Sequence, residues 1–382
     1  MPSSRPAPPR LVAFALALAA AAGAKAGAPP PAAADEPSPP SATPSATAPA
    51  PAGATAEPVS AFFFATNAKV RSTIDLHEVR NGLLRPNPKD GIPAIRRPEA
   101  VPASEADWVK DDDRVIGVAV GEQARAYPIL QMQRHEVVND VLSAEPVAVT
   151  YCPLCDSAVA FRRTLVQGKE RRILTFGISG FLHQSDVLLY DAETETFWQQ
   201  YTAKAVVGPL TGTALPEVPR TTTTWRAWRE AYPETTVLSW KTEHRWPKSA
   251  YAGDVYADYH RSRVLQFPVT KVDPRLPAKT IVHGVVVGDA AVAVPDAAVR
   301  GAKEPREAHV GDATVRFLPA DAGGAVRAER RVAAGEAARW EAIPTLRSYW
   351  FAWATFHPET ALEGAPASDP AGPAPAAGGG SR

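Results

Sequence analysis

Two cysteines, the only ones in the 382-residue chain, lie in the stretch VTYCPLC as Cys152 and Cys155. Thiols at this spacing can bind one metal ion, act as a redox pair, or close a small disulfide. A structural zinc site needs four protein ligands, so histidines or carboxylates would have to complete it. The spacing therefore predicts a site of sulfur chemistry but does not choose among these three uses.

The metal alternative has a nearby third ligand in the sequence. His135, in the segment RHEVVND, precedes the cysteines, and Met132 lies three residues before it. Cys152, Cys155 and His135 together predict a copper or zinc site, because thiolate and imidazole suit both metals. The segment does not complete an HExxH protease motif, since Asn139 stands where the second histidine is needed.

Two other functions of the cysteines remain as alternative hypotheses. A thioredoxin-like redox pair needs a helix after its first thiol, whereas the segment DSAVAFRR after the motif resembles a strand. A thiol-disulfide oxidoreductase using Cys152 and Cys155 is nevertheless one alternative. The other is a non-catalytic module that binds a small molecule and in which the cysteines form a structural disulfide.

Polar residues on both sides of the cysteines supply further candidates. The segment GISGFLHQSDVLLYD is interpreted as a polar binding loop before a strand, and it contains Asp186 and His183. No Gly-x-Ser-x-Gly elbow supports a serine hydrolase. The residues do not distinguish a metal carrier from an enzyme. The candidates for catalysis are Glu136, Asp140, Ser185 and Gln200, and those for binding a cofactor or small ligand are Ser179 and Trp198.

Hydrophobic patterns predict a β-rich α+β fold around these residues. The runs on both sides of CPLC alternate or are β-branched, so the motif is expected to be a turn between two strands. The segment ILQMQRHEVVND is predicted to be a short helix leading into a loop. TTTTWRAWREAYPET is predicted to contain a helix that a threonine caps and Pro233 ends.

The chain also resembles itself. VIGVAVG at 115–121 matches VHGVVVG at 282–288, and WRAWREAYPET at 225–235 matches WFAWATFHPET at 350–360, in the same order. These matches predict a diverged tandem duplication that forms two related subdomains. When the two copies are aligned, Leu318 and Asp321 occupy the positions of Cys152 and Cys155. The thiols are therefore present in one copy only, which favours a site in the first copy over a disulfide that the fold needs in general.

The ends of the chain predict export. Residues 1–26 have a basic start, a short apolar run and small residues, as a signal peptide does, so we expect a periplasmic or extracellular protein. Residues 27–58 and 363–382 are predicted to be a disordered Pro/Ala linker and a disordered tail. The first subdomain is then 60–245 and the second 246–362. A formal net charge of zero argues against nucleic acid as a partner, and no later segment is long and apolar enough to span a membrane.

Several long motifs in fixed order resemble a known family. KDGIPAI, HEVVND, VTYCPLC, FGISGFLHQSDVLLYD and WQQ are similar to those of the prokaryotic family called domain of unknown function 3179, over about residues 60–360. The resemblance implies an exported or membrane-associated protein and implies no particular activity. His183 and Met132 depart from the residues expected in the family. Its motif positions fall on His135, Glu136, Asn139, Asp140, Cys152, Cys155, Ser179, Gly180, Ser185, Asp191, Trp198 and Gln200.

Overall fold

The computed structural model describes residues 70–334 and 337–365. The predicted signal peptide, the linker at 27–58 and most of the predicted tail lie outside these residues. No helix within the described part is long and apolar enough to cross a membrane. Strands greatly outnumber helices there, which confirms the β-rich α+β class.

The strands and helices are short and follow one another closely. In chain order, the strands are β1 Arg80–Asn81, β2 Ala100–Pro102, β3 Arg114–Val120, β4 Gln123–Pro128, β5 Val137–Leu142, β6 Glu145–Cys152, β7 Ser157–Arg162, β8 Thr164–Gln167, β9 Glu170–Ile173, β10 Phe176–His183, β11 Asp186–Asp191, β12 Phe197–Gln199, β13 Lys204–Val207, β14 Arg220–Thr224, β15 Thr236–Leu238, β16 Ile281–Val287, β17 Ala290–Pro295, β18 Arg306–Val310, β19 Ala313–Phe317, β20 Ala328–Ala334, β21 Ala337–Ile343, β22 Leu346–Tyr349 and β23 Ala361–Leu362. The α-helices are α1 Ile129–His135, α2 Trp225–Ala231, α3 Ala257–Arg261, α4 Asp296–Val299 and α5 Trp350–Phe356.

Two sheets in the described part have the same arrangement. One has the order β14-β3-β4-β15-β2, and another has the order β22-β16-β17-β23. In each, three antiparallel strands are followed by a strand that pairs in parallel, β15 or β23, and a tryptophan-containing helix precedes that strand in the chain. The first sheet has one further strand, β2, which pairs with β15. The indole nitrogen of Trp228 in α2 donates to Thr235, and that of Trp353 in α5 donates to Thr360, both at 2.8 Å. The similar words in the sequence therefore form similar local structures.

A glycine lies beneath the tryptophan in each of these two sheets. A Cβ atom at Gly117 would overlap the ring of Trp228, and one at Gly284 would overlap the ring of Trp353. We expect Gly117→Ala and Gly284→Ala each to lower the free energy of unfolding by about 2–3 kcal/mol, because an overfilled core must shift its rings or backbone. Urea denaturation measures this change. Gly284→Ala should cost less when Trp353→Leu is also present, and equal costs in both backgrounds would contradict the contact.

The structure corrects two local predictions. The predicted loop after α1 is strand β5, because Val137, Val138 and Val141 favour extended backbone over a loop. The predicted binding loop is a hairpin of β10 and β11, whose strands are buried along their whole length. A bulge between Ile178 and Phe181 interrupts its register. The glycines that suggested a loop therefore lie within a strand.

Two other local predictions are confirmed. The side chain of Thr224 accepts a hydrogen bond from the backbone N–H of Ala227 and so caps α2, and this helix ends before Pro233. CPLC is a turn between β6 and β7.

The largest apolar core surrounds this turn. It contains Cys152 and Cys155 from the turn, Trp198 from β12, and Trp350 and Phe351 from α5. Residues on both sides of the predicted boundary at 245/246 therefore pack around the cysteines, although the boundary itself stays a prediction. Because the core encloses the turn, the two thiols are removed from bulk water.

Candidate metal centre

The CPLC turn is held in one conformation by its own backbone and by neighbouring groups. The N–H of Cys155 donates to the carbonyl oxygen of Cys152 at 3.2 Å, which brings both side chains to the same side of the turn. The next residue, Asp156, has a left-handed backbone with φ of 48°. Its carboxylate accepts hydrogen bonds from Arg114 and Tyr151, both at 2.8 Å, and from Arg347. These partners fix the exit of the turn.

The charge of Asp156 is retained despite its burial. Burial alone would raise the pKa of this carboxyl, but the guanidinium groups of Arg114 and Arg347 hold it well below its usual range. Asp156 is therefore an anchor for the turn and is fully engaged with cations. It is not available as a free metal ligand.

Residues from the later part of the chain form hydrogen bonds with the backbone carbonyl groups of the turn. The hydroxyl of Tyr259 donates to the carbonyl of Leu154 at 2.8 Å, and the N–H of Tyr349 donates to that of Cys155 at 2.9 Å. A ring nitrogen of His260 lies 3.2 Å from the carbonyl oxygen of Pro153. The carbonyl groups of CPLC are thus satisfied without using either thiol.

The β10–β11 hairpin brings a carboxyl group to the thiols. Gln184 and Ser185 form its two-residue turn with φ of 53° and 61°, and Asp186 is the first residue of β11. The Cys155 sulfur lies 3.6 Å from Oδ1 of Asp186 and 3.5 Å from the carbonyl oxygen of Ser185. Both sulfur atoms and one carboxylate oxygen of Asp186 lie within 4.8 Å of one another. Such a group has the size of a metal coordination sphere.

The carboxylate of Asp186 is oriented by two donors. Its Oδ2 accepts hydrogen bonds from Nε2 of Gln199 at 2.6 Å and from the N–H of Tyr201 at 3.0 Å. Its Oδ1 faces the sulfur of Cys155. Hydrogen bonds thus hold one oxygen in place and leave the other pointing toward the thiols, as is common for carboxylates that bind metals.

The cluster is buried and lacks a cation among the described residues. Burial raises the pKa of Cys152 and of Cys155, and raises that of Asp186 to about 6. Burial, and next the charge of Asp186, raises the pKa of Glu136 to about 8. No lysine, arginine or histidine within 70–334 and 337–365 forms an ion pair with Asp186 or Glu136. A bound cation would supply the missing positive charge.

Glu136 occupies a constrained position at the end of α1. Its backbone is left-handed, with φ of 57°, and its N–H donates to the carbonyl of Met132 at 2.7 Å. The charge of Asp186 acts on its carboxyl group, and the hydroxyl of Tyr256 forms a hydrogen bond with it. Glu136 is therefore a buried acid on which the charge of Asp186 acts.

Glu136→Gln is expected to change how stability depends on pH. A carboxyl whose pKa rises on folding binds more protons when folded, so it destabilises the metal-free protein as the pH rises from about 4.5 to 8. Glu136→Gln should therefore be more stable than the wild type at pH 8, by a few kcal/mol at about 1.4 kcal/mol per pKa unit, and similar near pH 4. Urea denaturation across this range tests it. The exposed Glu122→Gln is the control, and the same pH profile in both variants would contradict the burial effect.

His135, the predicted third ligand, lies in a different environment. Its Nδ1 is 2.7 Å from the carbonyl oxygen of Pro93, and its Nε2 is 2.8 Å from the hydroxyl of Tyr251. The ring stacks on Trp246, and burial lowers its pKa to about 4. Both nitrogens thus have protein partners, and the group of thiols contains Asp186 where the sequence suggested His135.

The structure gives partners to other candidates as well. Asp140 forms a salt bridge with Arg125 at 2.6 Å and accepts a hydrogen bond from Tyr127. Gln200 donates to Thr150 at 2.9 Å, and its side-chain oxygen accepts from Ser157, the residue paired with Cys152 across the β6–β7 ladder. Asp140 is therefore engaged by a salt bridge and a hydrogen bond. Gln200 contacts β6 and β7, the two strands that flank the cysteine turn.

The two candidates for ligand binding lie inside the β10–β12 sheet. Ser179 donates to the carbonyl of Leu188 and accepts from the N–H of Phe181 at 3.0 Å. The indole nitrogen of Trp198 donates to Asp191 at 2.8 Å. Their polar groups are used within the protein. By contrast, the buried hydroxyl of Ser185 has no hydrogen-bond partner among the described residues.

The sequence places Asp186 in a polar segment but does not predict that it lies against the thiols. The signal was present, because Ser185-Asp186 follows His183-Gln184 at a point where a two-residue turn can form. The local amino-acid sequence, however, does not indicate that this hairpin packs against Cys152 and Cys155, which are about thirty residues away in the chain.

The comparisons with known proteins agree with the family motifs. The profile of the family described as "Protein of unknown function (DUF3179)" matches residues 89–360. No curated protein and no solved structure gave a significant match.

Proposed function

Since this chain belongs to the DUF3179 family, whose profile spans most of it, we propose that it is a zinc-binding protein with Cys152, Cys155 and Asp186 as ligands. The observation that carries the proposal is the approach of both sulfur atoms and one carboxylate oxygen to within 4.8 Å of one another in a buried site. Two thiolates and a carboxylate carry three negative charges, and such a cluster is costly to bury without a cation.

The donor set favours zinc over copper. Cu(I) prefers soft ligands alone, whereas zinc binds sulfur, nitrogen and carboxylate oxygen. Met132, whose thioether would be a further soft ligand for copper, packs in a separate apolar cluster with Ile129 and Tyr151. Three protein ligands leave a zinc ion one further position, as in catalytic rather than structural zinc sites. A substrate or water could occupy it, and Glu136 and Ser185 are the polar groups available nearby.

The thiol-disulfide alternative has less support. An oxidoreductase needs a thiolate at neutral pH, usually stabilised by a helix N-terminus or a cation. Here burial raises the pKa of both thiols, and β7 follows the turn in place of a helix. A structural disulfide is also less favoured, because the two cysteines are free thiols in the structure.

The metal-free, reduced protein is therefore expected to react slowly with iodoacetamide. At pH 7 we expect alkylation slower than that of a cysteine with the ordinary pKa near 8.5, because burial raises the pKa of both thiols and so lowers the fraction present as thiolate. Mass spectrometry of the trapped cysteines measures the rate, and the urea-unfolded chain is the control. Alkylation faster in the folded than in the unfolded protein would favour the oxidoreductase.

Zinc titration with a competing chelator tests the proposed ligand set. Asp186→Asn is expected to weaken zinc binding by about 100-fold, since it removes a ligand while preserving shape. His135→Gln should leave the affinity nearly unchanged, because the histidine lies outside the group. Loss of affinity in His135→Gln but not in Asp186→Asn would restore the histidine as the third ligand.

Two further proposals concern the origin and location of the protein. The common strand order and tryptophan contacts of the two sheets support a tandem duplication in which the thiols belong to one copy. The basic start and short apolar run of residues 1–26 support export to the periplasm or outside the cell. Such a compartment oxidises free thiols, and a bound zinc ion would protect Cys152 and Cys155 there.

A further inference from the structure

One cavity within the described part of the chain has several arginine side chains in its wall. It has a volume of about 290 Å³ and lies between β14 on one side and strands β16, β20, β21 and β22 on the other. Arg220, Arg327 and Arg347 line it, together with Thr345. A cavity with three arginines in its wall is suited to a negatively charged ligand.

Two of these arginines are held in place by their surroundings. The Arg220 side chain is only 3% exposed, its Nε donates to the carbonyl of Ala158 at 2.8 Å, and its Nη1 pairs with Glu217 at 3.0 Å. Arg347 pairs with Asp156 through Nη1. Within the described part of the chain, the Nη2 groups of both arginines have no hydrogen-bond partner. These fixed side chains therefore keep donors for a ligand.

Two other lining groups also have unused donors. Among residues 70–334 and 337–365, nothing forms an ion pair or hydrogen bond with the guanidinium of Arg327, which is exposed. The buried Oγ1 of Thr345 likewise lacks a partner. A buried hydroxyl without a partner costs free energy, which a ligand oxygen could recover.

The local charge is positive. The carboxylate in the wall, Glu329, is already paired with Arg316 at 2.5 Å. The lining groups, their ion-pair partners and the arginines that pair with those carboxylates include six arginines and four carboxylates, namely Arg114, Arg220, Arg300, Arg316, Arg327 and Arg347, and Asp156, Glu217, Asp296 and Glu329. The excess of two positive charges favours an anion over a cation or an uncharged ligand.

We propose that this cavity binds a small molecule carrying a carboxylate or phosphoryl group. Arg220 and Arg347 supply fixed donors at the wall, Arg327 supplies the exposed charge, and Thr345 supplies a hydroxyl. Planar guanidinium groups match the paired oxygens of both anion types. Because Arg347 also holds Asp156, the residue after Cys155, an anion here would contact a side chain that anchors the cysteine turn.

Calorimetric titration with inorganic phosphate and with succinate tests this proposal, with sodium chloride at equal ionic strength to account for screening. Saturable binding of at least one probe is expected. Arg327→Gln should weaken it about tenfold, as expected for a charged hydrogen bond. Arg331→Gln, an exposed arginine on β20 that does not line the cavity, is the matched control with the same charge change and should bind normally.

Thr345→Val gives an independent test that does not depend on charge. It should weaken anion binding about threefold to tenfold, yet leave the ligand-free protein as stable as the wild type or more so, because it removes an unpaired hydroxyl. Cys152→Ser should bind the anion normally, which separates this cavity from the proposed zinc site. No saturable binding of either probe, or equal losses in Arg327→Gln and Arg331→Gln, would overturn the proposal.

Discussion

Zinc is expected to stabilise the reduced protein more strongly at pH 8 than at pH 6. Zinc binds deprotonated ligands, so its binding releases the protons that burial holds on Cys152 and Cys155 and, at lower pH, on Asp186. Free zinc at 1,000 times its dissociation constant at pH 8 should add about 4 kcal/mol to the free energy of unfolding there, and the same zinc concentration should add less at pH 6, where the dissociation constant is larger. Urea denaturation with a non-thiol reductant, with and without zinc, measures the difference at each pH.

The metal-free protein should show the opposite trend. The pKa of Asp186 rises from 3.8 to about 6 on folding, so the folded state binds more protons and stability falls as the pH rises between these values. The buried Glu136 extends the fall toward pH 8. A variant carrying both Cys152→Ser and Cys155→Ser should keep this fall and lose the response to zinc. Parallel pH curves with and without zinc in the wild type would contradict the proposal.

Replacing either cysteine should have the largest effect on zinc affinity. Cys152→Ser and Cys155→Ser are each expected to weaken zinc binding by more than about 100-fold. Loss of a group that only hydrogen-bonds to a metal ligand already costs about 10–100-fold, and loss of a ligand itself should cost more. Competition with a chromophoric chelator measures both affinities. An unchanged zinc affinity in either variant would show that the thiols are not ligands.

Two neighbouring glutamines provide a finer comparison. Gln199 donates to Asp186 at 2.6 Å, whereas Gln200 contacts Thr150 and Ser157. Gln199→Leu should therefore weaken zinc binding by about 10–100-fold, and Gln200→Leu should have much less effect on it. Equal effects would mean that the substitutions act through general packing and not through the carboxylate.

The sequence predicts the cysteine turn but not the groups that surround the thiols. The spacing of Cys152 and Cys155 was enough to predict a turn with sulfur chemistry, because local residues determine a turn. Closeness in the chain favours His135 as a third ligand. The structure uses that histidine between Pro93 and Tyr251 and brings Asp186 to the thiols through a hairpin. Contacts between separate strands depend on sheet packing, which spacing along the chain does not encode.

In the fold, too, the sequence predicts features that local residues determine but not those that depend on packing. The cap and end of α2 follow from Thr224 and Pro233, which act locally. The glycine- and serine-rich segment around Gly177 and Gly180 predicts a loop, whereas the structure forms the hairpin of β10 and β11 there. Gly177 instead leaves room for the ring of Tyr190, and Gly180 permits a left-handed backbone, with φ of 77°, against Pro88. Both glycines are explained by close packing that a single sequence does not reveal.

X-ray absorption at the zinc edge of the purified, zinc-loaded protein tests the central claim most directly. We predict one zinc ion per chain, with two sulfur ligands near 2.3 Å and the remaining oxygen ligands near about 2.0–2.2 Å. In Asp186→Asn, the two sulfur ligands should remain while the oxygen shell changes. A spectrum without sulfur ligands, or protein that binds no zinc while both cysteines are reduced, would contradict the account.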